Sequence, residues 1–194
     1  MKKLLSLTLL LLMITPCLRA QRKEMSQARS YLKSGKDLDK GEKLIMELFS
    51  KDSVNRRNPK LYVLLYEIVR KQYSIGNEKL YLKEKYDTAS LFNLTKRMFA
   101  LAETLDTLDA TPDRKGRVMP DYRRKHAEEL DGYRPNLYNG GIYFIRKADY
   151  GNAYSFLDAY LDCGRQPLFG RYDYSRTDGR MPLAAYWASY CGFK

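Results

Sequence analysis

The stretch Gly141 to Tyr160, GIYFIRKADYGNAYSFLDAY, constrains the fold of this chain more than any other. Gly141, Phe144, Ala153, Leu157 and Tyr160 recur where two short antiparallel helices would bury facing sides, small residues letting the backbones approach and large ones filling the gap. One such hairpin has too little apolar surface to shield itself, so the pattern predicts further helix pairs stacked beside it as a solenoid. An earlier segment keeps the same measure. Leu32 to Gly41 is nine residues and Gly41 to Ile45 four; the same nine and four separate Phe144 from Ala153 and Ala153 from Leu157.

The helical period continues through most of the remaining chain. Met25, Ala28, Tyr31 and Leu32 mark a helix over 23–33, stopped by Ser34 and Gly35. Asp37 and Asp39 suit the positive end of a second helix, whose buried side would be Leu44, Ile45, Leu48 and Phe49. After a polar turn over 55–58, Pro59 opens a third helix with the stripe Leu61, Leu64, Leu65, Ile68 and Val69, expected to end at Gly76 and Asn77. A further pattern from Glu78 to Leu108, through Tyr81, Tyr86, Ala89, Phe92, Met98, Phe99, Ala102 and Leu105, reads as one long helix or as two. Pro112, Gly116 and Pro120 make 109–120 a loop.

Residues 1–20 read as an address. Lys2 and Lys3 precede an apolar run from Leu4 to Ile14, and Leu18-Arg19-Ala20 ends in a small residue, which predicts cleavage after Ala20. The run falls short of the roughly 20 residues that span a bilayer, and no other segment is long and apolar enough. Cys17 follows Pro16, which disfavours lipidation there. At 194 residues, 44% hydrophobic and 13% aromatic, the chain can build a sizeable core. Its formal charge of +12 falls to +9 without Lys2, Lys3 and Arg19, a surplus that suits anionic partners. Lys and Arg alternate with Asp and Glu along most of the chain, the pattern of solvated helix faces.

Export would leave Cys163 and Cys191 in an oxidising place, where they form one disulfide or stay as two buried thiols in helix interfaces. Neither has a His or second Cys at metal-ligand spacing, so no metal and no cofactor is expected. Arg114, Lys115 and Arg117, then Arg123, Arg124 and Lys125, read either as a patch for an acidic partner or as a solvated loop and helix start, the second favoured because no aromatic platform alternates with the charges. His126, the one histidine, is expected on a helix surface. Between Cys163 and Met181, the residues Arg165, Phe169, Arg171, Tyr172, Tyr174, Arg176 and Arg180 interleave aromatic rings with guanidinium groups. Such a loop either stacks on sugar rings, bases or a peptide, or packs its aromatics back onto the helices. On the first reading Arg165, Arg171, Tyr172, Tyr174 and Arg176 are the candidate partner-binding residues.

Leu137, Gly140, Gly141 and Phe144, then Ala153, Leu157 and Tyr160, and finally Pro167, resemble the tetratricopeptide repeat pattern. Met25, Ala28, Leu32, Gly41, Ile45 and Leu48 resemble a weaker copy, and Ala184, Trp187, Ala188 and Cys191 the first helix of another. With the Leu-Arg-Ala-Gln end of its leader, the mature chain is similar to exported tetratricopeptide-like proteins of Bacteroidota-type bacteria, a group with no assigned activity. The spacing is irregular, Gly41, Ala89 and Ala153 lying 48 and 64 residues apart rather than at the family's period of about 34. The resemblance implies an all-α, tetratricopeptide-like helical-hairpin solenoid, with a cleavable signal peptide at 1–20 and a repeat domain over 21–194. The helix opening at Pro182 has no following partner helix, so the domain is expected to be the front part of a longer solenoid, with Trp187 and Tyr190 exposed unless covered.

The function expected on these grounds is a non-catalytic protein–protein interaction scaffold of the cell envelope, periplasmic or at the cell surface of a Gram-negative bacterium, holding a protein or peptide partner. The alternative is a binder of acidic glycan or another polyanion through the basic, Tyr- and Arg-rich surface; nucleic acid is disfavoured. An enzyme has little support: the sequence holds no Gly-rich phosphate loop, no nucleophile elbow and no His pair.

Overall fold

A computed structural model describes residues 21–194, so the expected signal segment lies outside the described residues. Those residues are mainly helical, without a strand among them. They divide into two compact units, one up to Lys71 and one from Gln72, each taken by itself below.

In the first unit, helix α1 occupies 21–34 and buries Met25 and Ala28. Gly35 ends it at φ +69, a left-handed conformation that glycine adopts without strain, and donates its N–H to the Tyr31 carbonyl at 2.9 Å. Helix α2 follows over Leu38–Lys51 and buries Leu38, Gly41, Ile45 and Leu48, with Leu44 half-buried and Phe49 packed on Tyr62 at 4.8 Å between ring centres. Gly41 is the close-approach point: a Cβ there would lie 3.3 Å from Tyr31 Cβ and 3.4 Å from Ile68 Cδ1, so both neighbouring helices reach α2 at one residue. The polar turn forms a 3-10 helix, Asn55–Arg57, and Asn55 is buried in it. Its amide donates to the Leu48 carbonyl at 2.8 Å and accepts from Gln21 at 2.9 Å, so one side chain ties three segments together.

Helix α3 opens at Pro59 and buries Leu61, Leu64, Leu65, Ile68 and Val69 as one stripe. It does not stop at Gly76 and Asn77 but runs to Tyr81. Gly76 serves a different purpose: a Cβ at that position would stand 2.5 Å from Tyr86 Cζ, and the missing side chain lets the Tyr86 ring lie against the helix. The pattern after Glu78 resolves into two helices separated by 82–87, where Lys83 takes φ +59. Asp87 starts α4, Thr88–Asp109, by accepting from the N–H groups of Ala89 at 3.2 Å and Ser90 at 3.0 Å.

The second unit continues through α5 (Arg123–Arg146), α6 (Tyr150–Asp162), a 3-10 turn (Pro167–Phe169), the four-residue α7 (Tyr174–Thr177) and α8 (Met181–Phe193). Contacts pair opposite ends of successive helices. Asp106 meets Arg123 and Phe92 meets Tyr143, so α4 and α5 run antiparallel. Gly140 and Gly141 receive Phe156 and Leu157 so closely that Cβ atoms would fall 2.7 and 2.6 Å from those side chains, which sets α6 antiparallel against α5. Phe144, Ala153, Leu157 and Tyr160 are all buried in this hairpin. Its first helix is 24 residues long rather than short, because the apolar stripe extends back through Leu137, Arg134, Leu130 and Ala127 to His126.

Helix α8 packs on α6 through Ala184, Ala188 and Cys191, with Tyr190 against Tyr150 at 5.9 Å between rings. Trp187 and Tyr190 are therefore half-buried, because α6 serves as the partner that the sequence pattern lacked. Leu183, Tyr186 and Phe193 stay exposed on the other side of α8. Cys163 and Cys191 are both free and buried. Among the described residues, no helix is long and apolar enough to cross a membrane.

Candidate functional site

The loop after α6 turns its aromatics inward. Phe169 and Tyr174 are buried, Phe169 packing on Phe99 of α4 at 5.6 Å and Tyr174 on Phe169 at 5.8 Å between ring centres. Tyr172 is half-buried and stacks parallel on Tyr174 at 5.3 Å. Of the five candidate partner-binding residues, Tyr174 is thus part of the core and Tyr172 is committed to it. Arg165, Arg171 and Arg176 are exposed and pair with Asp162, Glu128 and Asp173. Ion pairs as exposed as these are weak, so they leave the guanidinium groups free to exchange partners.

What draws the tyrosines inward is Arg134, a residue that the apolar stripe of α5 carries toward α6 and the loop. Its guanidinium lies 3.8 Å from the ring centres of both Tyr160 and Tyr174, held between the two. It donates to the Asp178 carboxylate at 2.5 Å and to the Tyr160 carbonyl at 3.3 Å. The Tyr160 hydroxyl donates to the same Asp178 oxygen, and the Tyr174 hydroxyl to Asp131 at 2.5 Å. Burial works against the Asp178 carboxylate, yet hydrogen bonds from Tyr160, the Arg180 N–H and Arg134 hold its pKa below the usual value. Burial, and then the bond to Asp178, raise the Tyr160 hydroxyl to about 12. The Tyr160 hydroxyl and the Asp178 carboxylate are thus shifted away from neutrality in opposite directions, and the cluster is a clamp that holds the loop to the hairpin. A charged residue at the inward register of an apolar stripe was its signal in the sequence.

The second unit also carries surface depressions, two of which gather residues of interest. One, of about 460 Å³, lies between the start of α4 and the end of α5 and is lined by Thr88, Phe92, Tyr138, Asn139, Ile142, Tyr143 and Arg146. Its floor is aromatic, Phe92 and Tyr143 lying 5.5 Å apart, and its lining holds one cation and no carboxylate. The second, of about 350 Å³, is lined by Pro120, Arg123, Arg124, Ala127, Pro167, Leu168 and Arg171. Folding brings to it residues from two basic stretches far apart in sequence.

Two further groups are perturbed by burial. Glu103 is raised to about 7 by burial and then by the nearby charge of Asp162. The Cys163 thiol is pushed up to about 12, by burial first and by Glu103 next. A thiol held that high is protonated and unreactive at neutral pH. His126 is not on the helix surface: only 2% exposed, it stacks on Tyr122 at 5.9 Å, because its register falls on the buried side of α5. Among the described residues, no group of three or more His, Cys, Asp or Glu is arranged to hold a metal ion.

In comparisons with known proteins, no family model matches the chain, and neither the curated proteins nor the solved structures give a match.

Proposed function

We propose that this protein is a non-catalytic interaction scaffold of the bacterial cell envelope, an exported, tetratricopeptide-like series of helical hairpins that holds a segment of another protein. The observation that carries the reading is the groove between α4 and α5. Its aromatic floor offers apolar anchorage, while the Asn139 amide and the Arg146 guanidinium at its edge offer donors for a backbone carbonyl or a carboxylate. At about 460 Å³ it has room for one or two side chains. The leader pattern over 1–20 supports the location, and the repeat-like spacing of Phe144, Ala153 and Leu157 supports the array.

A pull-down from the native envelope with the mature chain tests the reading. The expected result is one stoichiometric protein, captured by the parent and lost with Asn139→Arg, which fills the groove from an exposed position. Recovery of polysaccharide alone would favour the competing reading, a binder of acidic glycan that draws on the +9 charge of the mature chain.

A further inference from the structure

The second depression differs in chemistry from the groove. Pro120, Ala127, Pro167 and Leu168 give it an aliphatic lining, and Arg123, Arg124 and Arg171 place three guanidinium groups around it. The three charges are not equally engaged. Arg123 spends two of its five N–H donors on Asp106, at 2.7 and 2.8 Å, and that carboxylate is buried. Arg171 pairs with Glu128 at 2.8 Å, with both side chains about half exposed. Arg124 is exposed and has no partner among the described residues. Asp106 and Glu128 pair directly with two of the three arginines, with Asp109 and Asp131 acting on the same two from further off, which leaves Arg124 as the guanidinium without a paired carboxylate at the edge of the hollow.

We infer that this cleft is a second docking point, for an acidic segment of a partner protein in which an aliphatic side chain sits beside a carboxylate. The aliphatic side chain rests between Pro120 and Pro167, over the buried Leu168 and Ala127. The carboxylate meets Arg124 and takes Arg171 from Glu128, an exchange that costs little because an exposed pair is weak. The lining also selects against the other polyanions. Sugars and bases are held by stacking on aromatic faces, and no aromatic residue lines this cleft: Tyr172, next to Arg171, is stacked on Tyr174. Aliphatic side chains need no such platform.

The inference rests on the reading of the protein as a binder of protein segments, but it concerns a separate site, so the two fail separately. The test uses the mature chain and a fluorescein-labelled decapeptide of alternating glutamate and leucine, followed by fluorescence anisotropy. Saturable binding is expected, weakened about tenfold by Arg124→Glu and again by Arg171→Glu. Arg29→Glu, an equal charge change on α1, should leave the affinity unchanged, and helical circular dichroism should be the same for all variants. Asn139→Arg, which blocks the α4–α5 groove, should also leave it unchanged. Absence of saturable binding would overturn the inference. So would equal affinity for polyglutamate, which carries the charge without the aliphatic groups, or tighter binding of polygalacturonate, which would mark the cleft as a glycan site. Loss of peptide binding with Asn139→Arg but not with Arg124→Glu would move the contact to the groove and leave the scaffold reading standing.

Discussion

The Arg134 guanidinium lies over the ring of Tyr160, 3.8 Å from its centre, while donating a hydrogen bond to the same residue's backbone carbonyl. Ring, charge and backbone thus join α5 to α6 at one point, and Asp178 fastens the following loop to it. Arg134→Ala should cost about 3–5 kcal/mol in chemical denaturation, since it takes the paired cation from Asp178 and leaves two rings without their filler. Arg134→Met with Asp178→Asn should recover part of that loss. A single substitution that unfolds like the parent would show that the clamp contributes nothing.

Gly141 meets Leu157 closely in the same hairpin, and Ala153 is buried in it. Gly141→Ala places a methyl group 2.6 Å from Leu157 Cγ, and Ala153→Leu adds bulk at a fully buried position. Each should lower stability by about 1–3 kcal/mol, read from urea midpoints. Gly151→Ala, where a Cβ meets nothing within 4 Å, should not.

Glu103 should make stability depend on pH in an unusual sense. Its folded-state pKa of about 7 stands above the ordinary glutamate value of 4.5, so the folded protein holds the proton more tightly than the unfolded chain. The contribution of the protonated group is complete below the unfolded value and is lost as pH rises toward 7. The melting temperature of Glu103→Gln, which keeps the shape without the charge, should therefore gain on that of the parent between pH 5 and pH 8. A constant difference across that range would show that Glu103 titrates normally.

Neither cysteine should react with a thiol reagent in the native protein at neutral pH. Cys163 is buried and raised to about 12, and burial raises Cys191 as well. Both should label as soon as denaturant unfolds the chain. Rapid native labelling of Cys191 alone would show that α8 detaches from α6, a motion that its exposed Leu183, Tyr186 and Phe193 give reason to look for.

The positions of most helices were legible because helical periodicity, caps and breakers are local. The stripes of α2 and α3, Pro59 as an opener and Gly35 as a stop all act within a turn or two of their own backbone. Gly76 misled because a glycine marks either a helix end or a close neighbour, and only the arrival of Tyr86 distinguishes the two. His126 misled in a similar way, since its place on the buried side depends on where α5 begins.

By itself, then, the sequence determined that the described chain is helical and that the segment from Gly141 to Tyr160 could bury its small and large residues as a hairpin. Tertiary structure alone decided the fate of the Arg and Tyr loop. Arg134 finds its partners 26, 44 and 47 residues away, at Tyr160, Asp178 and Met181, and those partners turn Tyr174 from a surface candidate into core. Tertiary packing likewise gathered Arg123, Arg124 and Arg171 around one aliphatic hollow. The physical reason is range: a repeating stripe records what one helix must hide, whereas the neutralisation of a charge depends on which distant groups the packing brings within hydrogen-bond reach.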